Sequence, residues 1–222
     1  MNLTREYDKA RMSLANPNGV QYFDGYEEIN GYVRPSSVAP LPRGQIFINE
    51  KVQEYFELIK SASPQKEIPF FLIARDDSKH GEPNHIVITG IVFDSSYNPQ
   101  RKETHYSSFE KMINNVYNQI KDIPDVILIQ GHTHPLMVGG YEDYFSLGDV
   151  YSLVNMSENY PNVQVGSIVF APQRSNDPNS YEAKTLFYDR HTRKCYSADA
   201  PFQLLNNYQL IEIDCASENQ MC

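Results

Sequence analysis

The chain has 222 residues, enough for one domain with an extension. Its 28 Asp and Glu against 19 Lys and Arg give a formal net charge of −9. That field repels polyphosphate and anionic lipid, which argues against nucleic acid and membrane surfaces as partners.

The hydrophobic fraction of 41%, with 16 Tyr and no Trp, suits one core whose aromatic area carries polar tips. The longest uncharged apolar runs, Phe70 to Ala74 and Val126 to Ile129, are strand-sized, and the opening MNLTREYDKARM has no apolar stretch behind it. Neither a membrane span nor a secretory signal is expected. The cysteines, Cys195, Cys215 and Cys222, are odd in number and lack CxxC spacing. They point to a reduced, cytoplasmic setting rather than a disulfide scaffold.

Residues 1–43 read as an N-terminal extension closing on VRPSSVAPLPRG, which favours extended backbone and turns. A domain is expected over 44–200, with a C-terminal strand and tail over 201–222. About 46–60 is predicted as an amphipathic helix on the face of Val52, Tyr55, Phe56 and Ile59. IPFFLIARD and HIVITGIVFD read as adjacent strands or a hairpin. A second helix carries Phe109, Met112, Ile113, Val116 and Ile120, with Ser107 and Glu110 at capping-box spacing and Pro124 beyond its end. VILIQ is a short buried strand running into GHTHP. A third helix is expected from Ser146, and VQVGSIVFA, AKTLFYDR and YQLIEID read as strands, with DRHTRK as a turn. Helices lying between runs of strand place the fold in the α/β or α+β class, with a mixed sheet flanked by helices.

The chemistry concentrates at Gly131-His132-Thr133-His134-Pro135. Residues i and i+2 of a strand point to one side, so His132 and His134 can converge on one ion. Asp149, at the start of the next helix, can supply a carboxylate. Zinc takes such N/N/O sets and keeps its fourth position for water in catalytic sites. Taken singly, the parts have plainer readings: Ser146-x-x-Asp149 is an ordinary helix cap. Their order carries the signal: strand, HxHP, loop, then SxxD opening a helix.

Other HxH families fail on spacing. A metallo-β-lactamase would want HxHxDH, where Leu136 and Met137 stand here. A cupin would want a Glu closer to His134 than Glu142, and an amidohydrolase barrel needs a longer chain.

HTHP followed by SxxD resembles the JAMM (JAB1/MPN/Mov34) metalloprotease signature, over about residues 46–190. The resemblance implies a cytidine-deaminase-like JAB1/MPN architecture and hydrolysis of peptide or isopeptide bonds, often at ubiquitin or ubiquitin-like proteins. It implies Zn²⁺ held by His132, His134 and Asp149, Glu67 as general base, and Ser146 helping to hold the oxyanion. Glu67 follows Pro64 between the first helix and the FFLIA strand, matching the family's upstream Glu in position, although Pro69 and Phe70 replace its small residues. The loop from Pro135 to Gly148 is longer than the family's usual spacing, which leaves Asp143 as a spare third ligand. Gly140, Tyr141 and Tyr144, with Gly139 and Phe145, read equally as a lip that binds an extended substrate tail or as packing on the helix below. His80, His85, His105 and His191 read as loop or strand-end residues, with His105 the one placed to support the ligands from behind.

Two functions follow from the sequence. One is a zinc-dependent peptidase or isopeptidase acting on a protein or peptide partner, which the resemblance implies to be ubiquitin-like. The other is an inert MPN-type scaffold for assembly, and members of that kind commonly lack a ligand.

Overall fold

The computed structural model describes residues 26–29, 32–35, 43–62, 68–77, 85–93, 106–134, 145–172, 181–189 and 194–214. The elements are β1 (Tyr26–Ile29), β2 (Tyr32–Pro35), β3 (Arg43–Ile48), α1 (Glu50–Ala62), β4 (Pro69–Asp76), β5 (His85–Phe93) and α2 (Tyr106–Ile120). They continue as β6 (Val126–Thr133), β7 (Phe145–Ser146), α3 (Leu147–Asn159), β8 (Gln164–Pro172), β9 (Tyr181–Asp189), β10 (Lys194–Leu204) and β11 (Ile211–Asp214). The fold is mixed α+β.

The larger sheet runs β11-β5-β3-β10-β9-β8-β6-β4 among the described residues, and β5 pairs with β4 as well. The strand order therefore closes on itself and the sheet curls. β3, β5, β10 and β11 supply parallel pairings, as do β6 and β8, while β4 runs antiparallel to both β5 and β6. Strand alternation divides the core in two. Ile46, Leu72, Ile86, Ile88, Ile127, Ile129, Ile168 and Phe187 turn inward with Val52, Phe56 and Ile59 of α1. Phe71, Ile73, Leu128, Val165, Val169 and Leu186 turn outward and are covered by α2 and α3 through Val116, Ile120, Val150, Leu153 and Met156.

A bulge in β5 keeps that division consistent. Ile73 pairs with Gly90 but Ala74 pairs with Ile88, so Thr89 is the extra residue. The slip lets Ile86, Ile88 and Ile91 all join the inner core. Gly90 sits where β4 and β11 both crowd β5: a Cβ there would lie 3.0 Å from Ile73 Cβ and 3.2 Å from the Ile211 carbonyl oxygen.

The first helix departs from expectation. It begins at Glu50 rather than 46, because Ile46 and Ile48 alternate as buried strand positions between β5 and β10. The switch occurs at Asn49, whose Oδ1 accepts the Val52 N–H at 2.9 Å as an N-cap. The second helix starts at Tyr106, so Ser107 lies inside it rather than before it. β10 runs across the boundary drawn at 200, and β11 pairs with β5 in the main sheet, with Ile213 in the outer core. Within the N-terminal extension, β1 and β2 pair with each other and β2 pairs with β7.

Candidate metal centre

β6 is an inner strand flanked by β4 and β8, and His132 stands in register with Pro69 on one side and Val169 on the other. Its C-terminal end is pinned from both sides. The His134 N–H donates to the Phe170 carbonyl at 2.9 Å, and the Thr133 N–H donates to the Ile68 carbonyl at 3.2 Å. Gly131 has a steric duty just before the first histidine: a Cβ there would fall 2.1 Å from the Phe70 ring. That ring is itself packed, stacked on Phe170 at 5.6 Å and tilted against Phe56 at 6.0 Å.

Asp149 comes from the first turn of α3, and the helix cap dictates where its carboxylate goes. Ser146 is the N-cap, with its hydroxyl accepting the Asp149 N–H at 3.2 Å. In return Asp149 Oδ2 accepts from the Ser146 N–H and from the Ser146 hydroxyl, each at 2.7 Å. One carboxylate oxygen is thus saturated by the capping box, and the other, Oδ1, lies 3.5 Å from His132 Nε2. The same residues that form an ordinary cap aim the spare oxygen at the histidines. Deeper along α3, the Ser152 hydroxyl donates to Gln130 Oε1 at 3.0 Å, tying the helix that carries Asp149 to the strand that carries His132.

His132 Nε2 and His134 Nε2 are 2.9 Å apart. At that separation either one nitrogen donates to the other or both lone pairs face a common cation. Tetrahedral ligands of a zinc ion stand about 3.3 Å from one another, given metal–ligand bonds of about 2.0–2.1 Å. His132, His134 and Asp149 each offer a ligand atom, and these atoms lie within 4.8 Å of one another. This is a donor set of the kind that can hold a metal ion. His134 is buried, at 7% exposure, whereas the His132 and Asp149 side chains keep 16% and 20% exposure, so the cluster opens to solvent on one side.

Of the residues singled out in the sequence, the structure brings His132, His134, Asp149 and Ser146 together. The Ser146 hydroxyl donates to Asp149 Oδ2 at 2.7 Å. Phe145 is buried at 3% exposure in the outer core beside Val150 and Leu153, so it packs under the helix and does not form a lip. His85 opens β5, edge-on to Phe47 at 5.4 Å, as a strand-end residue. Glu67, Gly139, Gly140, Tyr141, Asp143, Tyr144, His80, His105 and His191 lie outside the described residues. The chain neighbour of Glu67, Ile68, is buried and hydrogen-bonded to Thr133 between the two histidines.

Three contributors were not singled out in the sequence. Thr133 and the Gln130–Ser152 pair act through hydrogen bonds that no spacing signals. β2 reaches the site from more than a hundred residues away, with Tyr32 in register with Ser146 and Val33 with Phe145.

A second concavity, of about 560 Å³, lies on the inner-core side, lined by Phe56, Phe170, Tyr181 and Phe202 with Glu57 and Lys60 at its rim. It holds none of the candidate ligands.

No family model matches the chain, and no curated protein matches it. Among solved structures, the solution structure of protein DSY2949 from Desulfitobacterium hafniense is similar at a TM-score of 0.36 and 10% identity, covering 75% of this chain and 95% of that one. Among the described residues, no helix is long and apolar enough to cross a membrane.

Proposed function

We propose that the protein is a cytoplasmic zinc-dependent hydrolase of the JAMM type, cleaving a peptide or isopeptide bond in a protein partner, with a ubiquitin-like C-terminus as the substrate class. The observation that carries this reading is the convergence of His132, His134 and Asp149, with Asp149 Oδ1 left over from a capping box whose serine is the one in the HTHP-SxxD pattern. The curled mixed sheet with α1 on one face and α2 and α3 on the other suits the JAB1/MPN architecture that the resemblance implies.

His132, His134 and Asp149 would hold the zinc, which when bound would supply a Lewis acid for the scissile carbonyl and for a water molecule. The protein's own groups do the rest. Glu67 takes a proton from the attacking water as it adds to the scissile carbonyl carbon, then returns it to the amine as the C–N bond breaks. The Ser146 hydroxyl keeps the Asp149 carboxylate oriented, and turning its hydrogen from Oδ2 to the developing oxyanion adds a donor in the transition state.

The test is a panel of ubiquitin-like proteins carrying C-terminal peptide extensions, incubated with zinc-loaded wild type and with Glu67→Gln. Wild type is expected to cleave at least one of them, and Glu67→Gln to keep its zinc while losing about 10²–10⁴ in rate. Equal turnover by the two proteins would remove Glu67 from the base role. A chain that neither binds zinc nor cleaves would instead be the assembly scaffold.

A further inference from the structure

Polar contacts between α3 and β6 are stacked like rungs. Asp149 Oδ1 stands 3.5 Å from His132 Nε2, and about one helical turn further on the Ser152 hydroxyl donates to Gln130 Oε1 at 3.0 Å. Gln130 lies two residues before His132, so strand alternation puts both on one face of the sheet. Asp149 and Ser152 are three apart and share a face of the helix. α3 therefore runs back along β6, and the second rung sits about 6.5 Å behind the ligands, measured along the strand. Beyond it the two elements meet in the outer core, where Leu128, Leu153 and Met156 are buried and apolar.

The second rung breaks the pattern of its own strand. Val126 and Leu128 on that face of β6 are apolar, and a leucine at position 130 would extend the outer core. Apolar contact is non-directional, whereas a hydrogen bond fixes one register, as a single buried asparagine does in a coiled coil. Ser152 also has a local alternative, because a helical serine can bond back to the carbonyl four residues before it. Here its hydroxyl reaches the strand instead. A hydroxyl at the same level that does not reach across offers a contrast. Ser167 of β8 stands in register with Gln130 at 0% exposure, and its Oγ has no hydrogen-bond partner among the described residues.

We propose that Gln130 and Ser152 are positioning residues for the metal centre: their hydrogen bond sets the register of α3 on β6, and so holds Asp149 Oδ1 at the two histidines before an ion arrives. The inference rests on the reading of His132, His134 and Asp149 as metal ligands. It deepens that reading by making affinity for the ion depend on a pair that supplies no ligand. A chain in which α3 leaves its register is competent to bind for only a fraction of the time, and its apparent affinity falls by that fraction.

The experiment measures zinc affinity of the full chain by competition with a chromophoric chelator, for wild type, Ser152→Ala, Gln130→Met and the double variant. Alanine is a better helix former than serine, and methionine fills irregular gaps, so the variants are expected to fold, with urea midpoints in excess chelator as the check. Each single variant should bind zinc about 2–10-fold more weakly, the scale set by the net worth of one neutral hydrogen bond. The double variant should be no weaker than the weaker single, because the bond is lost only once. Ser152→Thr keeps the hydroxyl and should bind as wild type does. Ser167→Ala, which removes a buried hydroxyl without breaking a bond, should also match wild type. Wild-type affinity in Ser152→Ala, or a double variant whose loss is the product of the two single losses, overturns the inference and leaves the reading of the site intact. A loss in Ser167→Ala as large as that in Ser152→Ala does the same. Should Gln130→Met fail to fold, Ser152→Ala against Ser152→Thr decides, and equal affinity of those two overturns the inference. If the wild type binds no zinc, the reading of the site falls, and the inference with it.

Discussion

Replacing Ser146 by alanine separates the two duties of the SxxD segment. The hydroxyl makes two of the three bonds in the capping box, accepting from the Asp149 N–H and donating to Asp149 Oδ2. Loss of a serine N-cap typically costs about 1 kcal/mol. The lost bond to a carboxylate would add to that in a dry site, but Asp149 keeps 20% of its side-chain surface exposed and water can replace the donor. A net loss of about 1–2 kcal/mol is expected, or about 2–8 °C in Tm for a chain of this size. Measured in excess chelator, this is the cap alone. The second effect is on metal. With one donor gone, Oδ2 is held by the Ser146 N–H only, the carboxylate can turn, and zinc affinity should fall about 10–100-fold, as it does when a ligand loses its supporting partner. Urea denaturation with chelator and a zinc competition titration without it read the two terms separately. Ser146→Thr, which keeps a capping hydroxyl, should restore most of both. An unchanged urea midpoint in chelator together with unchanged zinc affinity would refute the coupling of cap to ligand.

Gly131→Ala should destabilise by about 1–3 kcal/mol in urea melts, because the new methyl meets a Phe70 ring already wedged between Phe56 and Phe170; an unchanged midpoint would show that the ring can move aside. Alkaline stability tests the inner packing. Burial pushes the Tyr55 hydroxyl up to about 12, above its unfolded value of about 10. Its contribution is therefore complete below about pH 10 and lost as pH rises through about 12, a gap worth about 3 kcal/mol at full ionisation. Tyr208 is raised to about 12 by the same cause and adds to the loss. Tyr55→Phe should flatten the fall in urea midpoint between about pH 10 and 12, and a fall as steep as wild type would place the alkaline transition elsewhere.

The ligand cluster was legible because each part rests on a local period. Histidines two apart on a strand share a side, and a serine three residues before an aspartate closes a cap, so His132, His134, Ser146 and Asp149 could be placed before any fold was known. The central strands were legible for the same reason, being unbroken apolar runs. β10 was not: Tyr196, Ala198, Ala200, Phe202 and Leu204 alternate with Ser197, Asp199, Pro201 and Gln203, but two of the five are alanine and Pro201 interrupts the run as a strand breaker. It is held instead by parallel pairing to β3, with a register shift between Asp199 and Gln203. Ile46 and Ile48 fall inside the predicted helix because Ile46, Phe47 and Ile48 form an unbroken apolar run before Asn49, too short to distinguish a period of two from one of 3.6. The Thr133–Ile68 clip, the Gln130–Ser152 tie and the pairing of β2 beside Ser146 join segments distant in sequence, and their residue types fit many other roles equally well.

The central claim is that this chain binds zinc through His132, His134 and Asp149. Elemental analysis of the protein purified without chelator, beside His134→Ala and Asp149→Ala prepared in the same way, tests it most directly. The account predicts one zinc per wild-type chain and close to none in either variant, with all three proteins folded by circular dichroism. A wild-type chain that carries no zinc and takes up none when Zn²⁺ is added, or variants that hold as much as wild type, would contradict it.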